Sequence, residues 1–185
     1  ESLEEQVMNL AQAAADLMTI IEKKGMDGIK IAWVGDGNNV LHDLMLAASI
    51  FGFDITWAVP KGYEPDSDVV SRSKKIAEKT GSKLNETNDP IEAVKDADVV
   101  YTDVFISMGE EHLEDKMKAF SGFQVNEELV SNAKEDYIFM HCLPAHRGEE
   151  VTDSVIDSKN SVVFQQAENR MWSQMSMLTY LVNRP

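Results

Sequence analysis

Short apolar runs alternating with amphipathic helical patterns constrain this chain more than any other feature. IKIAWVG (29–35), DITWAVP (54–60), DVVYTDV (98–104), YIFMHCLP (137–144) and SVVFQQA (161–167) are rich in Val, Ile and aromatic residues and read as five strands. Helical periodicity fills 39–51, 66–80, 90–96, 112–133 and 168–183, and KLNETND (83–89) is too polar to assign. Near-continuous apolar strands separated by helices point to a parallel sheet, because parallel strands need crossover helices that pack on both faces. The expectation is a doubly wound α/β fold, Rossmann-like, with a five-stranded sheet and its site along the carboxyl ends of the strands.

Ahead of the first strand, Leu3, Val7, Leu10, Ala14, Leu17 and Ile21 fall at steps of four and three, which predicts one helical face over 2–24. Ser2 and Glu5 have capping-box spacing, and Gly25 supplies a left-handed stop. With 185 residues, 43% apolar content and no Pro/Gly/Ser-rich linker, residues 1–185 read as a single domain. The 17 basic against 32 acidic residues give a formal charge of −15, which disfavours nucleic acid and anionic lipid as partners. No apolar stretch approaches the roughly 20 residues of a membrane span, and ESLEEQ lacks a basic n-region and an apolar h-region. The single cysteine, Cys142, rules out an internal disulfide framework and fits a reducing compartment, so the cytoplasm is the expected location. A start at Glu1 instead of Met suggests a processed or excised piece of a longer protein.

Three loops carry candidate chemistry. GDGNNV (35–40) follows the first strand where a dinucleotide-binding glycine loop would sit, but Val40 replaces the third glycine and no acid follows AVP (58–60) to hold a ribose. What remains is a glycine turn presenting Asn38 and Asn39 at a helix N-terminus, which suits a carboxylate ligand and a simple N-cap equally. DVFISMG (103–109) places Asp103 at a strand end with Ser107 and Met108 beyond it, groups that can hold an ammonium or merely shape a loop. HCLPAHR (141–147) puts His141 and Cys142 at another strand end. The two would face opposite ways on a strand, which argues against a thiolate nucleophile. His141, Cys142 and His146 also lack the paired spacing of a structural zinc site, so no metal is expected.

WVGDGNN (33–39), KGYEPD (61–66), DVFISMG, HCLPAHRGEEVTD (141–153) and FQQAENR (164–170) occur in the order and spacing of the ornithine carbamoyltransferases, and the chain resembles that family from about residue 12 onward. SMG after an Asp-bearing strand resembles the ornithine branch more than the aspartate branch. The resemblance implies that Asn39 binds the ornithine α-carboxylate, that Asp103 and Ser107 bind its α-ammonium, and that the Met108 backbone helps hold the head group. It implies that Cys142 and Leu143 line the meeting point of the δ-amine and carbamoyl phosphate, and that Arg170 reaches the carbamoyl phosphate; Asp103, Cys142 and Arg170 would be the catalytic set. The reaction implied is carbamoyl phosphate plus ornithine giving citrulline and phosphate, in arginine biosynthesis, with no metal or organic cofactor.

The chain departs from that family in two places. Full-length members carry a Ser-Thr-Arg-Thr-Arg phosphate loop in a first domain; here the nearest candidate, SRSKK (71–75), lies within a helical pattern and reads as a solvated basic face. The family's His-Pro-Cys-Gln is replaced by Asn9, Leu10, Ala11 and Gln12, so Gln12 alone remains of that carbamoyl-phosphate contact. These departures lead to the expectation of an ornithine-binding domain without its carbamoyl-phosphate-binding domain, not competent for turnover alone, and using carbamoyl phosphate only if that domain is supplied. The alternative is an engineered or excised folding module with a vestigial site. Apolar residues on the terminal helices, including Met171, Trp172, Met175 and Leu178, suggest self-association.

Overall fold

The computed structural model describes residues 3–106 and 113–183. Its elements run in the order α1 (Leu3–Lys24), β1 (Lys30–Val34), α2 (Asn39–Phe51), β2 (Asp54–Ala58), α3 (Ser67–Thr80), β3 (Leu84–Thr87), α4 (Pro90–Val94), β4 (Val99–Thr102), α5 (Leu113–Ala119), α6 (Glu127–Val130), β5 (Ile138–His141), α7 (Asp153–Ile156) and α8 (Val163–Val182). Every strand pairing is parallel, in the order β3-β2-β1-β4-β5. The chain builds outward from β1 to β3, then returns to add β4 on the other side of β1. The reversal opens a crevice between the carboxyl ends of β1 and β4, where ligands bind in folds of this class.

Strand alternation sorts the core into two layers, since successive side chains point to opposite faces. Trp33, Ile55, Trp57, Tyr101 and Met140 pack beneath α1 and α2 with Leu17, Ile20, Leu41, Leu44 and Phe53. Ala32, Val34, Val100 and Phe139 face the other way, against Val94, Leu129, Val130, Val155 and Ile156. Helix α8 lies antiparallel to α1, with hydrogen bonds from Ser173 Oγ to Ala11 O, Arg170 to Gln12, Asn169 to Thr19 and Gln165 to Glu22. Among the described residues no helix is long and apolar enough to cross a membrane.

The doubly wound five-stranded sheet is present, but its membership differs from the expectation. SVVFQQA (161–167) is not a strand: Ser161 makes one isolated bridge to Phe139, and α8 begins at Val163. Short apolar runs do not separate strand from buried helix by pattern alone, and here Gln166 and Asn169 turn inward while Phe164 is exposed. The fifth strand is instead β3, from the polar KLNETND stretch; it sits at the sheet edge, where half-exposed residues need no apolar run. The helix expected over 112–133 is two short ones, α5 and α6, parted by Gly122 at φ 95° and by Asn126, which caps α6 through Leu129 N.

Helix α1 exists as anticipated, with Gly25 at φ 81° ending it, but its buried face is not the apolar stripe read from spacing. Leu10 is 60% exposed, whereas the polar Gln12, Asp16 and Thr19 are buried beside Ala11, Ala15 and Ile20. Packing between α2 and α8 buries a broader arc, and those polar groups find partners within it. The capping box at Ser2 and Glu5 lies outside what is described, as do the side chains of Leu3 and Val7.

Candidate active site

The loop after β1 is shaped by a close approach of backbone to backbone. Gly37 N donates to Tyr63 O at 3.0 Å, and a Cβ at Gly37 would fall 2.4 Å from that oxygen and from Pro65 N. Only glycine fits there. The next residue, Asn38, caps α2: its Oδ1 accepts from Val40 N at 3.0 Å and Leu41 N at 3.2 Å. The cap is therefore Asn38, which leaves Asn39 as the first helical residue, half-buried at the positive end of the helix.

Capping fixes the Asn38 amide so that its Nδ2 points across the crevice, donating to Asp103 Oδ2 at 2.9 Å. Asp103, 6% exposed, sits where β4 ends; its Oδ1 accepts from Val104 N at 2.8 Å and from the Cys142 thiol at 2.9 Å. Three chain segments distant in sequence thus meet at one carboxylate. Burial, and then the neighbouring Asp103 charge, push the Cys142 thiol far above the ordinary thiol range, so it is a neutral hydrogen-bond donor and not a nucleophile.

The loop after β5 is held from beneath by His141, which is fully buried. Its Nδ1 accepts from Leu143 N at 2.9 Å, which places the ring proton on Nε2, 3.2 Å from Glu150 Oε1. Leu143 has φ 58°, and the Leu143–Pro144 peptide is cis. On the backbone side, His141 N donates to Gln166 Oε1 at 3.0 Å.

Gln166 belongs to a buried network centred on Asp16. Asp16 Oδ1 accepts from Gln12 Nε2 and Gln166 Nε2, both at 2.7 Å, and Oδ2 accepts from Tyr101 OH at 3.0 Å. Gln12 Oε1 in turn accepts from Arg170 Nη1 at 3.2 Å. Arg170 therefore faces Gln12, and nearby Glu168 accepts from Trp172 Nε1. A charged contact ties the loop after β1 to α5: Lys116 Nζ lies 2.6 Å from Asp36 Oδ2, and about as far from the Tyr63 and Phe120 rings as a cation–π contact allows, at 5.6 and 5.7 Å.

Of the residues singled out in the sequence, Asp103 and Cys142 are in hydrogen-bond contact, Leu143 follows in the same loop and packs against the core, Asn39 begins α2 next to the cap Asn38 that reaches Asp103, and Gln12 pairs with Arg170. Ser107 and Met108 lie outside the described residues. Asp103, His141 and Cys142 also approach one another closely enough to share a metal ion, as do His146, Glu149 and Glu150. In the first group both His141 ring nitrogens face protein partners and the thiol faces Asp103. Sequence reasoning missed Asp16, Tyr101, Gln166 and Glu150; the readable signal was a lone carboxylate, Asp16, inside the apolar run AAADLMTI.

The profile described as the aspartate/ornithine carbamoyltransferase Asp/Orn binding domain matches residues 27–181. The chain belongs to that family. It is 58% identical over 174 residues to a catabolic ornithine carbamoyltransferase of Thermoplasma volcanium, covering 93% of this chain and 57% of the relative. It is 56% identical to the anabolic enzyme of Pyrococcus furiosus, covering 92% of this chain and 55% of the relative. The solved ornithine carbamoyltransferase from Pyrococcus furiosus superposes with a TM-score of 0.88 over 91% of this chain and 54% of its own. The anabolic enzyme from Campylobacter jejuni, 40% identical, superposes with a TM-score of 0.89 over 95% and 59%. The chain spans little more than half the length of the relatives it matches.

Proposed function

We propose that the chain is the ornithine-binding half of an ornithine carbamoyltransferase of arginine biosynthesis, and that by itself it binds ornithine without turning it over. The observation that carries this reading is the convergence of Asn38, Asp103 and Cys142 at the switch point, which leaves a carboxylate beside a helix N-terminus. That pairing of a negative and a positive locus matches an amino acid's ammonium and carboxylate. Asn39 takes the α-carboxylate, Asp103 with Ser107 takes the α-ammonium, and the Met108 backbone holds the head group.

In the complete reaction the deprotonated δ-amine attacks the carbamoyl carbon, a tetrahedral oxyanion forms, and phosphate leaves. Cys142 and Leu143 line the meeting point, with Gln12 and Arg170 directed at carbamoyl phosphate. A guanidinium matches phosphate and carbonyl oxygens through its fixed fork of donors, which suits Arg170 to that role. The phosphate loop is to come from a further domain. The apolar groove of about 470 Å³ along α1 and α8, lined by Leu10, Met177, Leu178 and Leu181, is the face through which the chain alone self-associates.

One observation favours the vestigial-scaffold reading: Asp103 already accepts from Asn38, Val104 and Cys142. Calorimetric titration with ornithine and with norvaline decides between them. Saturable binding that Asp103→Asn weakens at least about tenfold supports the ornithine site; no saturation at millimolar ligand leaves the scaffold reading.

A further inference from the structure

Both side-chain oxygens of Asp16 accept, from Gln12, Gln166 and Tyr101. Gln12 Nε2 and Gln166 Nε2 converge on Oδ1, and the Tyr101 hydroxyl takes Oδ2. Gln166 Nε2 also reaches the Tyr101 oxygen at 2.9 Å. This pattern orients both glutamine amides with their nitrogens toward Asp16 and their oxygens away. The outward oxygens then accept from Arg170 on one side and from His141 N on the other.

We propose that Asp16 is a positioning residue, and that its carboxylate form is what orients Gln12 with Arg170 and, through Gln166, the 141–143 loop that presents Cys142 to Asp103. This rests on the ornithine reading for its ligand but not for its geometry. A proton on Asp16 replaces an acceptor with a donor. The Tyr101 hydroxyl turns to accept that proton, and the two amides, held by a neutral oxygen instead of a charged one, keep their orientation toward Arg170 and His141 N less firmly. The device is therefore sensitive to protonation. Burial raises the Asp16 pKa to about 6, against the lowering influence of Gln12, Gln166, Tyr101 and Arg170.

Among the described residues, few titratable groups face Asp16. Tyr101 comes from β4, Arg170 from α8 and Cys142 from the loop after β5, while Asp103, after β4, acts on Tyr101 and Cys142. Asp43 of α2 lines the same cavity of about 10 Å³ with Gln12 and Asp16. Tyr101 and Cys142 are both held above their ordinary values by burial, so neither titrates near neutrality.

The test has two arms. In ¹⁵N-resolved spectra the side-chain amides of Gln12 and Gln166 are expected to titrate together with a midpoint near 6, and to lose that transition in Asp16→Asn. Tyr101→Phe removes a donor to the carboxylate and should move the midpoint upward. Amides that do not titrate in the wild type, or that titrate unchanged in Asp16→Asn, overturn the proposal. In the second arm, norvaline affinity is followed calorimetrically from about pH 7.5 to about pH 5. A fall of about tenfold centred on the amide midpoint, absent in Asp16→Asn, supports the positioning role; a wild-type affinity that is flat across that midpoint overturns it. Amide titration without any norvaline binding keeps the positioning geometry and rejects the ornithine reading instead.

Discussion

The Cys142 thiol lies 2.9 Å from Asp103 Oδ1 and donates to it, tying the loop after β5 to the loop after β4. Replacing it tests that tie. Cys142→Ala should cost about 1 kcal/mol in urea denaturation, while Cys142→Ser, which keeps a donor, should cost less. Because the thiol is neutral and mostly buried, labelling by a disulfide reagent should be far slower than for free cysteine and should not accelerate between about pH 7 and about pH 9. Rapid labelling that follows an ordinary thiol titration would contradict the geometry.

Lys116 and Asp36 form an ion pair with side chains only 7% and 15% exposed. Lys116→Ala removes this contact together with those to the Tyr63 and Phe120 rings, so it should destabilise the fold by roughly 2 kcal/mol. The double variant with Asp36→Ala should be less damaging than the sum of the single changes, by at least about 1 kcal/mol. Additive losses in a double-mutant cycle would show that the two act separately.

Gly37→Ala should lose about 2 kcal/mol or more, since its methyl would meet Tyr63 O and Pro65 N at 2.4 Å and both are backbone atoms. Gly62→Ala gives a comparison: it meets nothing within 4 Å but sits at φ 89°, so its cost comes from backbone conformation alone. Gly37→Ala should also weaken ornithine binding, because it displaces the loop that carries Asn38 and Asn39.

The pH dependence of stability has a sign set by Asp16. Its folded pKa, about 6, lies above the ordinary aspartate value, so the native state holds this proton more tightly than the unfolded chain does. Protonation therefore stabilises: stability should rise as pH falls from about 6 to about 4, by about 3 kcal/mol from this group. Asp136 and Asp157, held low by Lys24 and Arg147, are exposed and act in the opposite sense only in more acidic solution. Asp16→Asn should flatten the curve between about pH 6 and about pH 4; an unchanged slope in that variant would assign it elsewhere. The form that orients the amides is thus not the form the fold prefers, a conflict common where activity sets the requirement.

The sheet, its parallel sense and the placement of the three loops at strand ends were legible because burial on both faces writes itself into apolar strands, and because turns such as GDGNN have little conformational choice. What escaped reading has physical causes. LNET (84–87) is an edge strand and carries no apolar run, and 163–167 is helical because Gln166 must turn inward to Asp16 and Tyr101. Spacing could not choose between Asn38 and Asn39 as cap; the hydrogen bond from Asn38 to Asp103 makes the choice, and it depends on residues 65 positions apart. The Asp16 network has the same character. Its members lie on α1, β4 and α8, and no local pattern brings them together.

The antiparallel pairing of α1 and α8 also sets how the molecule would yield to force. The described ends of the chain leave side by side, at the end of the helix pair where Leu10 and Leu181 share a groove. Tension applied through those ends would not shear the sheet. It would peel the two helices apart like a zipper, breaking Ala11–Ser173 and Gln12–Arg170 first, then Thr19–Asn169 and Glu22–Gln165, one rung at a time. The buried carboxylate hub would be wetted early in that sequence, while β1 and β4 were still in register.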